Sequence, residues 1–360
     1  MNRFAFMIHP LEVADVARKF PVARWLPEAL VERAIRFLPP VKTSYITGVK
    51  SSYAETEGWF ISCPLTTRHM LTLPEDYVLK KIIDTGRLAE KLGAQVLGLG
   101  AMTSVVGDGG ITVARHLDIG VTTGNSLTVA TAVDGTKAAA RMMEIDLTRA
   151  QVAVIGATGS IGAICAQLLA REVGHLTLVA RNQERLRDLA ARIQRDTGLA
   201  ASITADLKAA IHQADVIITV TSAMEAIIEP EDLKAGALVC DVARPRDVSR
   251  RVAELRDDVL VIEGGVMEAP GPADFHFNFG YPPGLCLACM AETMVLALEG
   301  RLDDYSLGRE LRLEQVEEIS ALAAKHGFKL AGLRSFERPV TGEQIEAVKT
   351  RARRDGSPGA

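Results

Sequence analysis

The chain has 360 residues and a formal net charge of −4, and 48% of its residues are hydrophobic. It is long enough for two domains that each bury an ordinary apolar core. The acidic balance argues against a nucleic-acid surface, which needs many basic side chains to neutralise phosphates. The five cysteines are few and odd in number, and the first residues lack the pattern of a secretory signal, so we expect a reducing cytoplasm.

The first 146 residues mix helical and strand patterns. The segment 26–40 lies between prolines and has an amphipathic pattern, which predicts a short helix. We expect its apolar side to dock on its own domain, with membrane-surface or partner contact as the alternative. A strand pair is predicted for "TSYITGVKS" and "AETEGWFISC", a helix for "LPEDYVLKKIIDTGRLAEKLG", and a buried strand at the start of "AQVLGLGAMTSVV". Together they predict an α/β substrate domain over 1–146.

From Gln151 onward, short apolar strands alternate with helical segments. The predicted strands include "QVAVIG", "HLTLVAR", "VIITVTS", "ALVCDVA" and "VLVIEGG". This alternation predicts an α/β fold with a doubly wound parallel sheet, a Rossmann domain over 147–283.

The region 284–350 is predicted to be helical, with helices at "GLCLACMAETMVLALEG" and "LEQVEEISALAAKHGFK". We expect these helices to pack at the cleft between the two domains. The first one carries Glu292 near its middle, so we expect a buried helix and not a transmembrane one. The basic end of the chain, "KTRARRDGSPGA", is expected to be a solvated tail.

A glycine-rich turn joins the first strand of the Rossmann domain to its first helix. In "VAVIGATGSIG" the backbone can approach a pyrophosphate, whose charge is met by free N–H groups and the helix dipole. Between a strand and a helix, this spacing predicts a dinucleotide site, with a merely tight turn as the alternative. The predicted cofactor contacts are Gly156, Ala157, Thr158, Gly159, Ser160, Ile161 and Gly162.

The end of the second strand distinguishes the two nicotinamide cofactors. An acidic residue there would bind the ribose hydroxyl of NAD, whereas this chain has Arg181, Asn182 and Arg185, which suit the 2′-phosphate of NADP. Glu184 in the same turn is the feature that would suit NAD, and a solvated helix surface is the alternative for Arg185. We expect NADPH, with Thr221 as a further cofactor contact.

Two cysteines, Cys286 and Cys289, lie three residues apart in the apolar stretch. A structural zinc site would need two more ligands nearby, so we expect no metal. A redox pair and two small core residues are alternatives. The preceding "FGYPPG" is expected to start a helix, and a helix N-terminus stabilises a thiolate. The favoured hypothesis is therefore a nucleophile that captures an acyl group.

Several motifs together carry a family resemblance. They are "IGATGSIG", "ARNQERL" at 180–186, "TTGN" at 122–125, "GGV" at 264–266 and "ACMAETMVLALEG". Along nearly its full length the chain resembles the long-chain acyl-[acyl-carrier-protein] reductases best known from cyanobacteria. It departs from them at Met290, where the family commonly has an aromatic residue, in the approach "FNFGYPPGLC", and in having Cys286.

The resemblance implies an N-terminal acyl-binding domain, a Rossmann domain and a covalent mechanism. The family's acylated cysteine falls on Cys289, which would attack the thioester of an acyl carrier protein or of coenzyme A. NADPH would then reduce the acyl-enzyme to a fatty aldehyde. An enzyme that consumes this aldehyde is a further partner that the resemblance suggests.

Other polar residues are candidates for assisting Cys289. Glu292 lies one turn beyond it and is expected to be either functional or a structural partner of a buried arginine or a backbone N–H. Candidates for oxyanion or substrate contacts are Thr123, Asn125 and Ser126, which could instead cap the following helix.

The roles of two histidines and two alternative functions for the protein stay open. His116 and His276 are the histidines nearest to functional segments, as general acids or as ordinary hydrogen-bonded residues. A shikimate- or quinate-like dehydrogenase would need a lysine–aspartate pair, for which Lys80, Lys81 and Asp84 are the candidates. A non-catalytic NADP-binding regulatory protein would keep the glycine turn without consuming hydride.

Overall fold

The computed structural model describes residues 1–355, apart from the side chains at positions 18, 19, 354 and 355. This part of the chain folds into two compact units. The first comprises Met1–Leu127 and Met267–Lys329, and the second comprises Thr128–Val266 and the described residues from 330 onward. The compact units thus group 284–329 with the N-terminal residues, whereas the sequence analysis set 284–350 apart as a separate region.

The helices and strands alternate along most of the chain. The strands are β1 (Arg3–Ile8), β2 (Val41–Lys50), β3 (Glu55–Ser62), β4 (Val96–Leu99), β5 (Gly120–Thr122), β6 (Gln151–Ile155), β7 (His175–Val179), β8 (Ser202–Thr204), β9 (Val216–Thr219), β10 (Leu238–Asp241), β11 (Leu260–Glu263), β12 (Val266–Glu268), β13 (Leu285–Leu287), β14 (Lys329–Leu330), β15 (Arg334–Ser335) and β16 (Arg338–Pro339).

The α-helices are α1 (Val13–Lys19), α2 (Glu28–Ile35), α3 (Thr67–Thr72), α4 (Glu75–Lys91), α5 (Ile111–Ala114), α6 (Asn125–Met142), α7 (Ser160–Leu169), α8 (Gln183–Thr197), α9 (Leu207–Gln213), α10 (Arg250–Leu255), α11 (Ala288–Glu299), α12 (Leu313–His326) and α13 (Gly342–Asp355). Short 3₁₀ helices occupy Pro21–Trp25, Ala101–Ser104 and Pro230–Asp232. Within the described residues, no helix combines the length and the apolar character needed to cross a bilayer.

The first unit is built on a five-stranded sheet with the order β2-β3-β1-β4-β5. β2 pairs with β3, as predicted, and is antiparallel to it, whereas the other neighbours are parallel. Met7 and Leu99 pack in one core with Ile82 of α4. Gly98 lies against Thr293 of α11, and alternate strand residues point to opposite faces. The sheet is therefore covered by α4 on one face and by α11 on the other.

The second unit contains a six-stranded parallel sheet with the order β11-β10-β9-β6-β7-β8. If β6 is numbered as strand 1, the order is 3-2-1-4-5-6, which is that of the Rossmann fold. In this order strands 2 and 3 lie on one side of strand 1, and strands 4 to 6 lie on the other. The predicted α/β fold with a doubly wound parallel sheet is confirmed. A parallel sheet that is buried on both faces has strands that are continuous apolar runs, and "VIIT" in β9, which is buried throughout, is an example.

The stretch 284–300 differs from the single helix that its apolar composition predicts. Gly284 has φ +80°, a left-handed conformation that follows two prolines, and the next three residues form β13. The helix begins only at Ala288. Cys286 therefore lies in a strand and Cys289 in the first turn of α11, so the two thiols do not share a helical turn.

The basic C-terminal run is also more ordered than expected. α13 extends to Asp355, so the residues predicted to form a solvated tail are helical up to that point. Lys349 has a largely buried side chain and pairs with Glu144 at 2.5 Å within the second unit. The remaining residues, 356–360, lie outside the described part of the chain.

Candidate active site

Cys289 is the second residue of α11 and is partly exposed, whereas the other four cysteines are buried. The N–H groups of a helix's first turn have no partners within the helix and carry a partial positive charge, which favours a thiolate. Of the five thiols, Cys289 is thus the one that combines solvent access with a helix N-terminus. No disulfide forms among the cysteines, all of which are among the described residues.

The loop between β5 and α6 holds the backbone of Cys289 closely. Gly124 has φ +72°, and a Cβ built on it would lie 2.3 Å from the Cα and the Cβ of Cys289. No real side chain tolerates such a distance, so only glycine fits. The "TTGN" motif therefore places a bare backbone against the cysteine.

Glu292 connects this loop to α11. Its carboxylate accepts a hydrogen bond from the Thr122 hydroxyl at 2.5 Å and one from the Leu127 N–H at 2.8 Å. The Thr122 oxygen in turn accepts the Gly124 N–H at 3.1 Å. Glu292 is fully buried, and this burial raises the pKa of its carboxyl above the usual range. The structure therefore gives Glu292 the backbone N–H partner that the sequence analysis considered, together with a threonine hydroxyl.

The predicted oxyanion candidates lie in the same loop but bond to protein atoms. The Thr123 hydroxyl donates to the Ser306 carbonyl oxygen, and the Ser306 hydroxyl donates to the Ser126 oxygen at 2.6 Å. Asn125 is buried as the first residue of α6. The hydroxyl proton of Thr123 is thus used within the protein, and an oxyanion role for these residues stays a prediction. Ser306, which links Thr123 to Ser126, was missed because it lies 180 residues away from Ser126 along the chain.

The second cysteine of the pair has a different environment. Cys286 is fully buried, and burial raises the pKa of its thiol far above the usual range, which favours the protonated form. In residues 1–355 no group of three or more His, Cys, Asp or Glu side chains could hold a metal ion. The environment of Cys286 is that of a small apolar core residue.

The two histidines chosen from the sequence are exposed, and each has a partner within the protein. His116 Nδ1 lies 2.8 Å from the Thr112 carbonyl oxygen, and His276 Nε2 lies 3.0 Å from the Thr47 hydroxyl. The buried histidine at the end of β1 is His9, where burial lowers the pKa to about 4. Its Nε2 accepts the Met102 N–H at 3.1 Å, so His9 is neutral and fixes the loop after β4.

The cofactor turn lies in the second unit, between β6 and α7. Gly156 has φ +80°, and a Cβ there would lie 2.3 Å from the Val220 carbonyl oxygen at the end of β9. A Cβ on Gly162 would lie 2.4 Å from the Gly156 carbonyl oxygen. Glycine is required at both positions, and the turn that results leaves the start of α7 open to a pyrophosphate. The backbone at Gly156 and Gly162 therefore has the tight geometry that a dinucleotide turn needs, and the individual cofactor contacts stay a prediction.

Two exposed guanidinium groups follow β7, that of Arg181 in the loop and that of Arg185 in the first turn of α8. Arg181 and Arg185 are both exposed, and neither forms an ion pair or hydrogen bond through its side chain within residues 1–355. The Asn182 side chain accepts the Arg185 N–H at 3.0 Å and caps α8. Asn182 is thus engaged in a cap, while both arginine side chains are available to a phosphate.

A buried carboxylate fixes the predicted contact Thr221. Asp247 is fully buried and accepts the Thr221 hydroxyl at 2.5 Å, the Thr221 N–H at 2.9 Å and the Thr219 hydroxyl at 2.6 Å. These bonds hold the loop after β9, whose Val220 carbonyl contacts the glycine turn. Asp247 was missed by the sequence analysis, although "RPRDVS" places an acidic residue shortly after a strand of the Rossmann sheet.

Comparison with known proteins identifies the family. A family model described as Shikimate / quinate 5-dehydrogenase matches residues 137–263. The aminotransferase PigE of Serratia sp. is 31% identical over 322 residues, which are 88% of this chain but only 37% of that protein. The long-chain acyl-[acyl-carrier-protein] reductase of Synechococcus elongatus is 33% identical over 306 residues, which are 81% of this chain and 87% of that reductase. The chain belongs to this reductase family.

Membership of the long-chain acyl-[acyl-carrier-protein] reductase family confirms the resemblance drawn from the motifs. It makes the chain an NAD(P)-dependent reductase, in agreement with the Rossmann order of its second sheet. Among solved structures, glutamyl-tRNA reductase from Methanopyrus kandleri matches 80% of this chain and 60% of its own with a TM-score of 0.30 and 18% identity.

Proposed function

We propose that the protein reduces a long-chain acyl thioester, carried by acyl carrier protein or coenzyme A, to a fatty aldehyde with NADPH. The observation that carries this proposal is the placement of Cys289. Of the five cysteines, Cys289 is the one that is partly exposed, and it lies in the first turn of a helix. The substrate named for the Synechococcus elongatus relative is an acyl-[acyl-carrier-protein], which is the thioester that such a thiolate attacks.

The covalent step uses groups that this chain supplies. The Cys289 thiolate attacks the carbonyl carbon of the substrate thioester, and the new S–C bond forms as the carbonyl oxygen takes up negative charge. The bond to the carrier sulfur then breaks, and the carrier thiolate leaves and takes a proton from solvent. The product is an acyl-enzyme thioester on Cys289, whose position is fixed by the contact with Gly124.

The glycine turn and the two arginines support NADPH as the cofactor. The Gly156 turn and the N-terminus of α7 would hold the pyrophosphate, and Arg181 and Arg185 would pair with the 2′-phosphate. NADPH, when bound, supplies the hydride that reduces the thioester to the aldehyde. Departure of the aldehyde returns the thiolate to Cys289.

The alternative of a shikimate-like dehydrogenase has less support. The matching family model covers 137–263, which lies entirely within the second unit and includes no residue of the first. Of the candidates in α4 for the lysine–aspartate pair that this activity would need, Lys81 donates to the Leu38 carbonyl oxygen at 3.0 Å and Asp84 lies 3.5 Å from Arg87, so each of these two has a partner other than the other.

The test is the intact mass of the protein after incubation with palmitoyl-coenzyme A, or with a palmitoyl thioester of acyl carrier protein, without NADPH. We expect a gain of one acyl group in the native protein and in Cys286→Ala, and none in Cys289→Ala. Addition of NADPH should remove the acyl group and release the aldehyde. An acyl group that persists in Cys289→Ala, or aldehyde formation by that variant, would contradict the mechanism.

A further inference from the structure

Large apolar side chains near the N-terminus are exposed and take no part in the proposed reaction. Trp25 is 87% exposed, Phe37 68% and Val22 65%, which is unusual for large apolar side chains. We call this surface the N-terminal apolar face; its exposed members are Phe20, Val22, Trp25, Leu26, Leu30, Phe37 and Leu38.

The face is built by a small helical segment with its own core. Val31 and Ile35 of α2 are buried against Val16 of α1 and account for the apolar side that was expected to dock. Leu30 and Leu38 of the same predicted amphipathic segment are exposed. Besides this docked side, the segment 20–38 therefore keeps several large apolar side chains in contact with solvent.

Basic residues outnumber acidic ones by one around this face. Arg24, Arg33 and Arg36 lie between the apolar residues, and the acidic residues of 20–38 are Glu28 and Glu32, so this stretch has a formal net charge of +1. Glu32 is already matched by Arg68, from which it is 3.8 Å away. Because the whole chain has a net charge of −4, this local positive excess is a property of the segment.

We infer that the N-terminal apolar face binds the surface of a bilayer that contains anionic lipids. A short helical segment with exposed tryptophan, phenylalanine and leucine next to arginine is the composition that lies in the interface between headgroups and acyl chains. The arginines would pair with anionic headgroups while the apolar side chains enter the acyl region. This inference does not depend on the proposed reductase activity.

The tryptophans provide a direct measurement. The chain has two, of which Trp59 is 6% exposed and Trp25 is 87% exposed, so a change of solvent at the face alters mainly the emission of Trp25. The full chain is mixed with vesicles of equal parts phosphatidylglycerol and phosphatidylcholine, or of phosphatidylcholine alone. We expect a blue shift and co-sedimentation with the anionic vesicles, both weakened by high salt because exposed charges are screened.

The matched variants are Trp25→Ser with Phe37→Ser, and Tyr53→Ser as the control. Tyr53 is 69% exposed in the same unit but lies outside the face. We expect the double variant to bind anionic vesicles at least about 10-fold more weakly, since each large apolar side chain that leaves water contributes strongly to partitioning. The control should bind like the native protein. Urea denaturation of all three proteins checks that each one folds.

Three results would overturn the inference. The first is the absence of vesicle binding by the native protein. The second is vesicle binding by the folded double variant that equals binding by the native protein. The third is self-association of the native protein without lipid that disappears in the double variant, which would assign the face to a protein–protein contact. Because substrate and NADPH are absent from these measurements, their outcome is separate from that of the acylation test.

Discussion

Replacement of Gly124 by alanine is the sharpest test of how Cys289 is positioned. The new Cβ would lie 2.3 Å from the Cα and the Cβ of Cys289, more than 1 Å inside the 3.4 Å at which ordinary contacts begin. The left-handed φ of +72° costs about 1–2 kcal/mol for alanine, and overpacking of a buried contact costs a further ~1–3 kcal/mol. We therefore expect a loss of about 2–5 kcal/mol in the free energy of unfolding.

Gly93→Ala is the matched control. Gly93 also has a left-handed φ, +86°, but a Cβ there meets nothing within 4 Å. This control should lose only the backbone contribution of about 1–2 kcal/mol. The difference between the two variants then isolates the contact with Cys289, and urea denaturation of both measures it.

The same pair of variants reports on the reaction. To relieve the overlap, Cys289 must move, and a displacement near 1 Å at a reacting group lowers the rate by about 100-fold. We expect slow acylation of Cys289 in Gly124→Ala and a normal rate in Gly93→Ala, measured by intact mass against time. Equal losses of stability in the two variants, with equal acylation rates, would refute this account of the loop.

Two other predictions concern Glu292 and the arginines. Because burial raises the pKa of Glu292, the folded state holds its proton more tightly than the unfolded state, so stability falls as the pH rises above about 4.3, the usual value for glutamate. The Glu292→Gln variant should lack this fall. Urea denaturation from pH 4 to 7 compares the native protein with the variant, and a stability difference between the two that does not change with pH would contradict the prediction. Replacing both Arg181 and Arg185 with alanine should raise the KM for NADPH about 10- to 100-fold and leave that for NADH unchanged, because a charge-assisted bond contributes about 1.5–3 kcal/mol. Arg187→Ala, which changes an exposed arginine of the same helix, is the control, and steady-state kinetics with an equal rise for both cofactors would contradict the assignment.

Local patterns were sufficient for the second unit. Strands such as β6 and β9 are short apolar runs, and the glycines of the turn between β6 and α7 mark a place where the chain bends sharply. Since parallel strands joined by helices have few arrangements, this alternation alone predicts the Rossmann order. The apolar helix and its cysteine were also visible in the sequence, but the expected helix start at "FGYPPG" lies before the observed start at Ala288.

The surroundings of Cys289 are formed by residues that are far apart in the chain. Glu292 bonds to Thr122 and Leu127, which precede it by 170 and 165 residues, and no local pattern pairs them. The helix start was displaced to Ala288 because Gly284 adopts a left-handed conformation and the next residues pair as a strand. In a parallel sheet, neighbouring strands come from distant segments, so such contacts follow from topology.

The sequence by itself determined the fold of the second unit, the glycine turn and the candidate nucleophile, because each rests on residues close together in the chain. The tertiary structure alone decided that Gly124 touches Cys289, that Glu292 is buried against a threonine hydroxyl and a backbone N–H, and that Trp25 faces solvent. Burial and close approach are properties of the packed chain, and they follow from which segments meet when the sheet of the first unit forms.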